Sequence, residues 1–296
     1  MGGLKEIRRR ITSVSNTKQI TRAMKLVSAA KLRRAQDAAL NGRAYSDKLI
    51  AVVQNLLAEL SEDFSHPLLE ERKEVKRRLS VVISGERGLC GAYNTNVLKA
   101  IEKDVRAAKC ETTFIVIGAR TVSSAKRFGW DTLGAYEKLP ENAAMWPIEE
   151  INQQMISGFL DEKYDEVNLF YTKFNSAISQ VVTKETVLPL SRESLQTLAA
   201  AVEKDTSESK NAGMKVSPSA EQLIANLIPL VIAARLRQAG LESKASEHAS
   251  RMTAMDSATK NADDLTAKLK LFYNRARQSA ITTELIDIVG GAEAVK

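Results

Sequence analysis

From Leu4 to about Leu60 the chain carries no proline, and its first internal glycine after the opening residues is Gly42. Apolar residues recur at Leu4, Ile7, Ile11 and Val14, resume out of phase at Ile20, Met24 and Val27, and continue at Tyr45, Leu49, Val52 and Leu56. That spacing predicts one long helix with an interrupted apolar seam. Some 55 residues of helix would reach roughly 80 Å, far beyond the radius of a small domain.

The other end of the chain mirrors it. Ser217-Pro218-Ser219 followed by Gln222 supplies an N-cap, a first-turn proline and a capping-box partner. Met255, Ala258, Ala262, Leu265, Leu269, Phe272 and Ala276 then follow a heptad spacing, and Gly290-Gly291 supplies a stop. Pro229 predicts a kink or break. Two such helices would each leave an apolar stripe wet, so the economical arrangement is an antiparallel coiled coil. The second helix is expected to outrun its partner beyond about Ala276.

Between them, strand and helix signals alternate. "RLSVVIS" (78–84), "TTFIVIG" (112–118), "EVNLFYTKF" (166–174) and "QVVTKETVLPL" (180–190) read as strands. Residues 92–108, 119–128 and 147–160 read as helices, and the polar run 203–213 as a mobile linker. The fold class is therefore α/β: a long antiparallel coiled coil of N- and C-terminal helices plus a Rossmann-like domain with a mostly parallel sheet. The expected boundaries are 1–60 for the first helix, 61–195 for the α/β domain, 196–217 for the linker and 218–296 for the second helix.

Charge is concentrated. Residues 1–34 hold ten Lys or Arg against Glu6 alone, and the other 262 residues hold 33 basic against 35 acidic. Nucleic acid, anionic lipid or an acidic protein surface could each be the partner. Few aromatics (5%) are available for base stacking, and the seam uses up one face of the basic helix. Cys90 and Cys110 form no C-x-x-C pair, and with only His66 and His248 a multi-histidine metal site is ruled out by counting. The run "LIPLVIAA" (227–234) is too short to span a bilayer, so a soluble chain is expected.

The turn "SGERGLCGAYN" (84–94) invites a phosphate-binding reading. Its glycines at 85, 88 and 91 give G-x-x-G-x-x-G, whereas a dinucleotide fingerprint needs G-x-G-x-x-G. Ala92-Tyr93 stands where a Walker loop needs Lys-Ser/Thr. A tight turn with close helix–sheet packing is expected, and no cofactor. His248 and Cys90 are each read as packing residues, and spacing alone supports no catalytic constellation.

Three stretches carry a resemblance: "LKEIRRRITSVSNTKQITRAMKLVSAAKLRRAQ" (4–36), the glycine turn, and "ASEHASRMTAMDSATKNADDL" with "NRARQSAITTELIDIVGGAEAV" near the end. Together they resemble the γ subunit family of the F-type ATP synthase, over nearly the whole chain. The resemblance implies a non-catalytic central-stalk rotor. Its coiled coil would thread a hexamer of α and β subunits, and its α/β domain would form a foot with the ε subunit on the ring of membrane c subunits. Catalysis would reside in the β subunits. Arg8, Arg9, Arg10, Lys18, Arg22, Lys25, Arg33 and Arg34 would then face acidic loops of the β subunits, with Met24 close by. Arg277, Gln278 and Thr282 would catch the catalytic subunits, and Ile281, Leu285, Ile288 and Val289 would form an apolar tip in a sleeve. Neither cysteine lies in the insert of the redox-regulated chloroplast form, so thiol control is not expected. The family reading implies no nucleic-acid partner, membrane association only through the complex, and a peripheral place on the cytoplasmic side of a bacterial inner membrane. The rival reading is a basic coiled-coil protein that grips nucleic acid.

Overall fold

The computed structural model describes residues 2–59, 65–108, 110–191 and 220–294. The predicted cap at Ser217, the linker 203–213 and part of the 61–78 connection lie outside them. The packing divides into two units, Met1–Ala29 with Arg251–Lys296, and Ala30–Ser250.

The larger unit is built on a five-stranded sheet, with strand order β3-β2-β1-β4-β5. The elements in chain order are α1 (Gly2–Glu59), β1 (Arg77–Ile83), α2 (Tyr93–Ala107), β2 (Glu111–Ile117), α3 (Ala119–Phe128) and β3 (Thr132–Tyr136). They continue with α4 (Ile148–Leu160), β4 (Glu166–Phe174), β5 (Gln180–Leu188) and α5 (Ala220–Ala294). Strand β1 runs parallel to both β2 and β4, with Val81 opposite Ile115 on one side and Leu169 on the other. The pair β2–β3 is parallel and β4–β5 antiparallel. Strand β5 stops at Leu188 because Pro189 has no N–H to continue a ladder.

Side-chain alternation gives the sheet two covered faces. Val82, Phe114, Val116 and Phe170 point to one face, where α2 and α3 cover them with Val97, Ile101, Val122 and Ala125. Leu79, Val81, Ile83, Ile115, Ile117, Val167 and Leu169 point to the other. That second face is covered by Ile148, Ile151, Met155 and Phe159 of α4, together with Ile50, Val53 and Leu56 of α1 and Ile224, Ile228, Val231, Ile232 and Leu236 of α5. By length and composition alone α5 could cross a bilayer, but its most apolar stretch is this core.

Pro229 does not interrupt α5. Ile228 and Val231 are fully packed around it, and Asn152 Nδ2 donates to the Pro229 carbonyl at 3.0 Å, so tertiary contacts override the proline cost of about 3 kcal/mol. Nor does Gly290-Gly291 stop the helix, which continues to Ala294. Glycine permits a helix end without compelling one, and its cost in a helix interior is only about 1 kcal/mol. Strand β3 was not anticipated. It is five residues long, half-exposed at the sheet edge and centred on Gly134, so its alternation is weak.

The smaller unit pairs residues 2–29 of α1 with residues 251–294 of α5. Three cross-contacts fix an antiparallel register: Lys25 Nζ to Asp256 at 2.5 Å, Thr21 Oγ1 to Thr259 Oγ1 at 2.8 Å, and Lys18 to Asp263. In α1 the inward positions are Leu4, Ile7, Ile11, Val14, Lys18, Thr21, Lys25 and Ser28, an unbroken heptad. The expected slip after Val14 is therefore absent. The seam keeps its phase and turns polar, leaving Ile20 and Val27 outside at 61% and 56% exposure. The α5 seam likewise runs through Met255, Thr259, Ala262, Thr266, Leu269, Tyr273 and Ala276, not through the exposed Leu265 and Phe272.

Candidate functional site

The glycine turn follows β1 where the strand order reverses, the place where an open α/β sheet usually takes its ligand. Here the chain's own side chains occupy it. The Gly85 N–H donates to Asn94 Oδ1 at 2.9 Å, from the first turn of α2. A Cβ on Gly85 would meet that oxygen at 3.1 Å and the buried Glu247 carboxylate at 3.2 Å. The Glu86 carboxylate accepts from the Ala119 N–H at the start of α3 and from the Leu139 N–H, both at 3.3 Å. Ser250 Oγ donates to the Cys90 carbonyl at 2.6 Å, and Gly88 lies against the Arg120 guanidinium.

A phosphate approaching the N-terminus of α3 would therefore meet the Glu86 carboxylate, and one approaching Gly85 would meet Glu247, instead of an open ring of N–H donors. The glycines allow close approach of Asn94, Arg120 and α5, which is a packing role. The Thr172 N–H of β4 donates to Ser243 Oγ of α5 at 3.3 Å, and Ser246 Oγ donates to the Thr172 carbonyl at 3.0 Å. Among the described residues no cluster of three or more His, Cys, Asp or Glu could hold a metal ion.

The basic positions of α1 separate into two groups. Arg8, Arg9, Arg22, Arg33 and Arg34 are exposed, and Arg10 is exposed while pairing with Glu6 at 2.7 Å. Lys18 and Lys25 turn inward and pair with Asp263 and Asp256, so they belong to the seam and not to the outward cationic surface that charge counting suggested. Lys25 first and then Lys260, 2.9 Å away, hold the Asp256 carboxyl down at about 2. Met24 is half-buried. Only the heptad phase distinguishes the two groups in the sequence, and it is masked there because the seam turns polar.

At the other end, Arg277, Gln278 and Thr282 are exposed on α5. The register carried from Lys25–Asp256 to Lys18–Asp263 places Gly2 opposite residue 279 or so, leaving roughly 15 residues of α5 unpaired, about 22 Å of helix. On that stretch Ile281, Leu285, Ile288 and Val289 are 48–68% exposed, as is Ile286, which the family resemblance had not included.

A family model described as ATP synthase matches residues 3–295. The chain is 42% identical over 304 residues to the ATP synthase gamma chain of Geobacter metallireducens, with all of both chains covered. It is 41% identical over 303 residues to that of Trichlorobacter lovleyi, again with full coverage of both. Among solved structures, a central stalk chain of Tetrahymena thermophila mitochondrial ATP synthase aligns with a TM-score of 0.61 at 27% identity, covering 81% of this chain and 99% of that one. A rotor chain from the Euglena gracilis enzyme shares the fold, with a TM-score of 0.62 at 17% identity over 95% of this chain and 99% of that one. A turn plugged by its own carboxylates, a paired set of terminal helices and end-to-end alignment with gamma chains all agree: this chain belongs to the ATP synthase gamma chain family.

Proposed function

We propose that the chain is the rotor subunit of an F-type ATP synthase, a non-catalytic central stalk. It would couple turning of the membrane c ring to conformational change at the catalytic sites of the α/β hexamer. Gamma-chain relatives aligned over the whole length support this reading, as does the likeness to a stalk solved together with its c ring.

The observation that carries it is the unpaired end of α5. Five large apolar side chains within nine residues, each about half exposed or more, would be costly to leave in water on an isolated chain. A surrounding sleeve of other subunits removes that cost. Apolar contacts suit a turning bearing, because dispersion lacks the directionality that would hold one angle.

In this reading Arg8, Arg9, Arg10, Arg22, Arg33 and Arg34 face acidic loops of the β subunits, with Met24 beside them. Arg277, Gln278 and Thr282 engage the hexamer, and Ile281, Leu285, Ile288 and Val289 form the bearing. The ε subunit and the c ring are the partners of the α/β unit. The complex is membrane-associated, and this chain would lie on the cytoplasmic face of a bacterial membrane. The nucleic-acid reading is not favoured, since two of the basic residues that prompted it are spent on the seam.

Affinity purification of a tagged chain from detergent-solubilised membranes tests the proposal. The α, β, ε and c subunits are expected in one complex that hydrolyses ATP. Recovery of the chain alone, or with nucleic acid only, would overturn the reading.

A further inference from the structure

Beside α1 and α5 in the larger unit lies a cavity of about 320 Å³. Basic side chains reach it from both helices: Lys31 and Arg34 from α1, Lys244 and the His248 imidazole from α5. One carboxylate faces them, Glu141 of the loop before α4, which pairs with Lys31 at 3.2 Å and with His248 Nε2 at 2.7 Å. The Lys244 ammonium is held by Glu247 at 3.2 Å, and among the described residues Arg34 enters no ion pair. Three alanines, Leu241 and Asn142, whose side-chain oxygen accepts from the Ala144 N–H, supply the rest of the wall.

This is an unusual way to pack two helices. Lys244 and His248 are 6% and 3% exposed, and burying an ammonium and an imidazole beside a void is unfavourable where apolar side chains could fill the space. Three permanent cations and a histidine outnumber Glu141, the one carboxylate in the wall, and the cations remain in excess when the Glu247 that holds Lys244 is counted with it. Burial alone would raise the Glu141 carboxyl, yet Lys244, Lys31 and His248 outweigh it and hold the group below its ordinary range. The volume is many times the roughly 30 Å³ share of one water, enough for a tetrahedral anion carrying a small organic group.

We propose that this cavity is a binding site for a phosphate-type anion, either inorganic phosphate or the phosphate end of a small organic ester. Arg34 supplies a fork of N–H donors suited to paired oxygens, and Lys31 and Lys244 supply compact positive charge. The apolar wall would take the organic part of an ester. This site is separate from the glycine turn, where carboxylates exclude such a ligand; it takes Arg34 for the anion in place of the β-subunit loops and otherwise does not depend on the rotor reading.

The chain contains only two histidines, which makes the test direct. In the full chain with labelled histidine and His66→Gln, a single ring resonance reports on His248. Titration with inorganic phosphate, and separately with phenyl phosphate, at constant ionic strength is expected to shift it saturably, while matched chloride does not. Tighter phenyl phosphate binding would identify an ester as the ligand, and equal or weaker binding would identify phosphate itself. Arg34→Ala is expected to weaken binding about tenfold or more through loss of a charge-assisted hydrogen bond. Arg33→Ala, which removes the same charge outside the cavity, should leave the midpoint unchanged. A shift shared with chloride, no saturation with either phosphate, or equal effects of the two arginine variants would overturn the proposal.

Discussion

Single residues decide whether the sheet's ligand-binding corner is open or closed. Gly118 ends β2 with φ at 101°, and a Cβ there would sit 2.4 Å from the Ser84 backbone carbonyl, an atom that cannot move aside. Its N–H donates to the Tyr136 carbonyl at 2.8 Å, tying β3 to the same corner. Gly118→Ala should therefore cost about 2–4 kcal/mol through strain and displacement of β1, read as a lower melting temperature in thermal unfolding of the full chain. An unchanged melting temperature would contradict the corner geometry. The spacing of the glycines already argued against a nucleotide loop. Glu86 stands within the turn itself, but the second carboxylate was not legible, because Glu247 arrives from a helix more than 150 residues away and local patterns carry no such information.

At the scale of elements, both long helices, the strands β1, β2, β4 and β5 and the helices α2, α3 and α4 could be read from periodicity and from turn residues. The phase of the seam could not. Ile20, Val27, Leu265 and Phe272 attract a hydrophobic-pattern argument, yet the inward positions beside them are Lys18, Thr21, Lys25 and Thr259. Long side chains explain this, since a lysine can lay its methylenes in the seam while its ammonium reaches a carboxylate. The polar block also predicts acid sensitivity. The Asp256 carboxyl is held at about 2, below its ordinary value of about 3.9. A depressed acid contributes stability above the ordinary value, and that contribution is lost as pH falls toward the folded one. Asp256→Asn should melt below the parent chain at pH near neutral, and the gap should close between about pH 4 and 2. A gap independent of pH would place the effect elsewhere.

For the whole molecule, one pair of helices serves two kinds of packing. Residues 30–59 of α1 and 220–250 of α5 complete the core over one sheet face, whereas residues 2–29 and 251–294 pair with each other in the smaller unit. Sequence gave no sign of that division, because both parts show similar helical spacing and what they pack against is a long-range property. The exposed apolar end of α5 is where assembly tests the reading. Ile288→Asp adds a charge where a sleeve should exclude water, so purified complexes should hydrolyse ATP with weakened coupling to proton transport while the isolated chain keeps its melting temperature. Coupling identical to the parent would remove Ile288 from the bearing. The lysine–aspartate lock has one more consequence. Sliding one helix by a heptad in one direction would set Lys18 against Lys270, so the lock acts as the zero mark of a ruler. Residues added or trimmed after Ala280 would lengthen or shorten the reach of α5 while leaving every graduation below them in place.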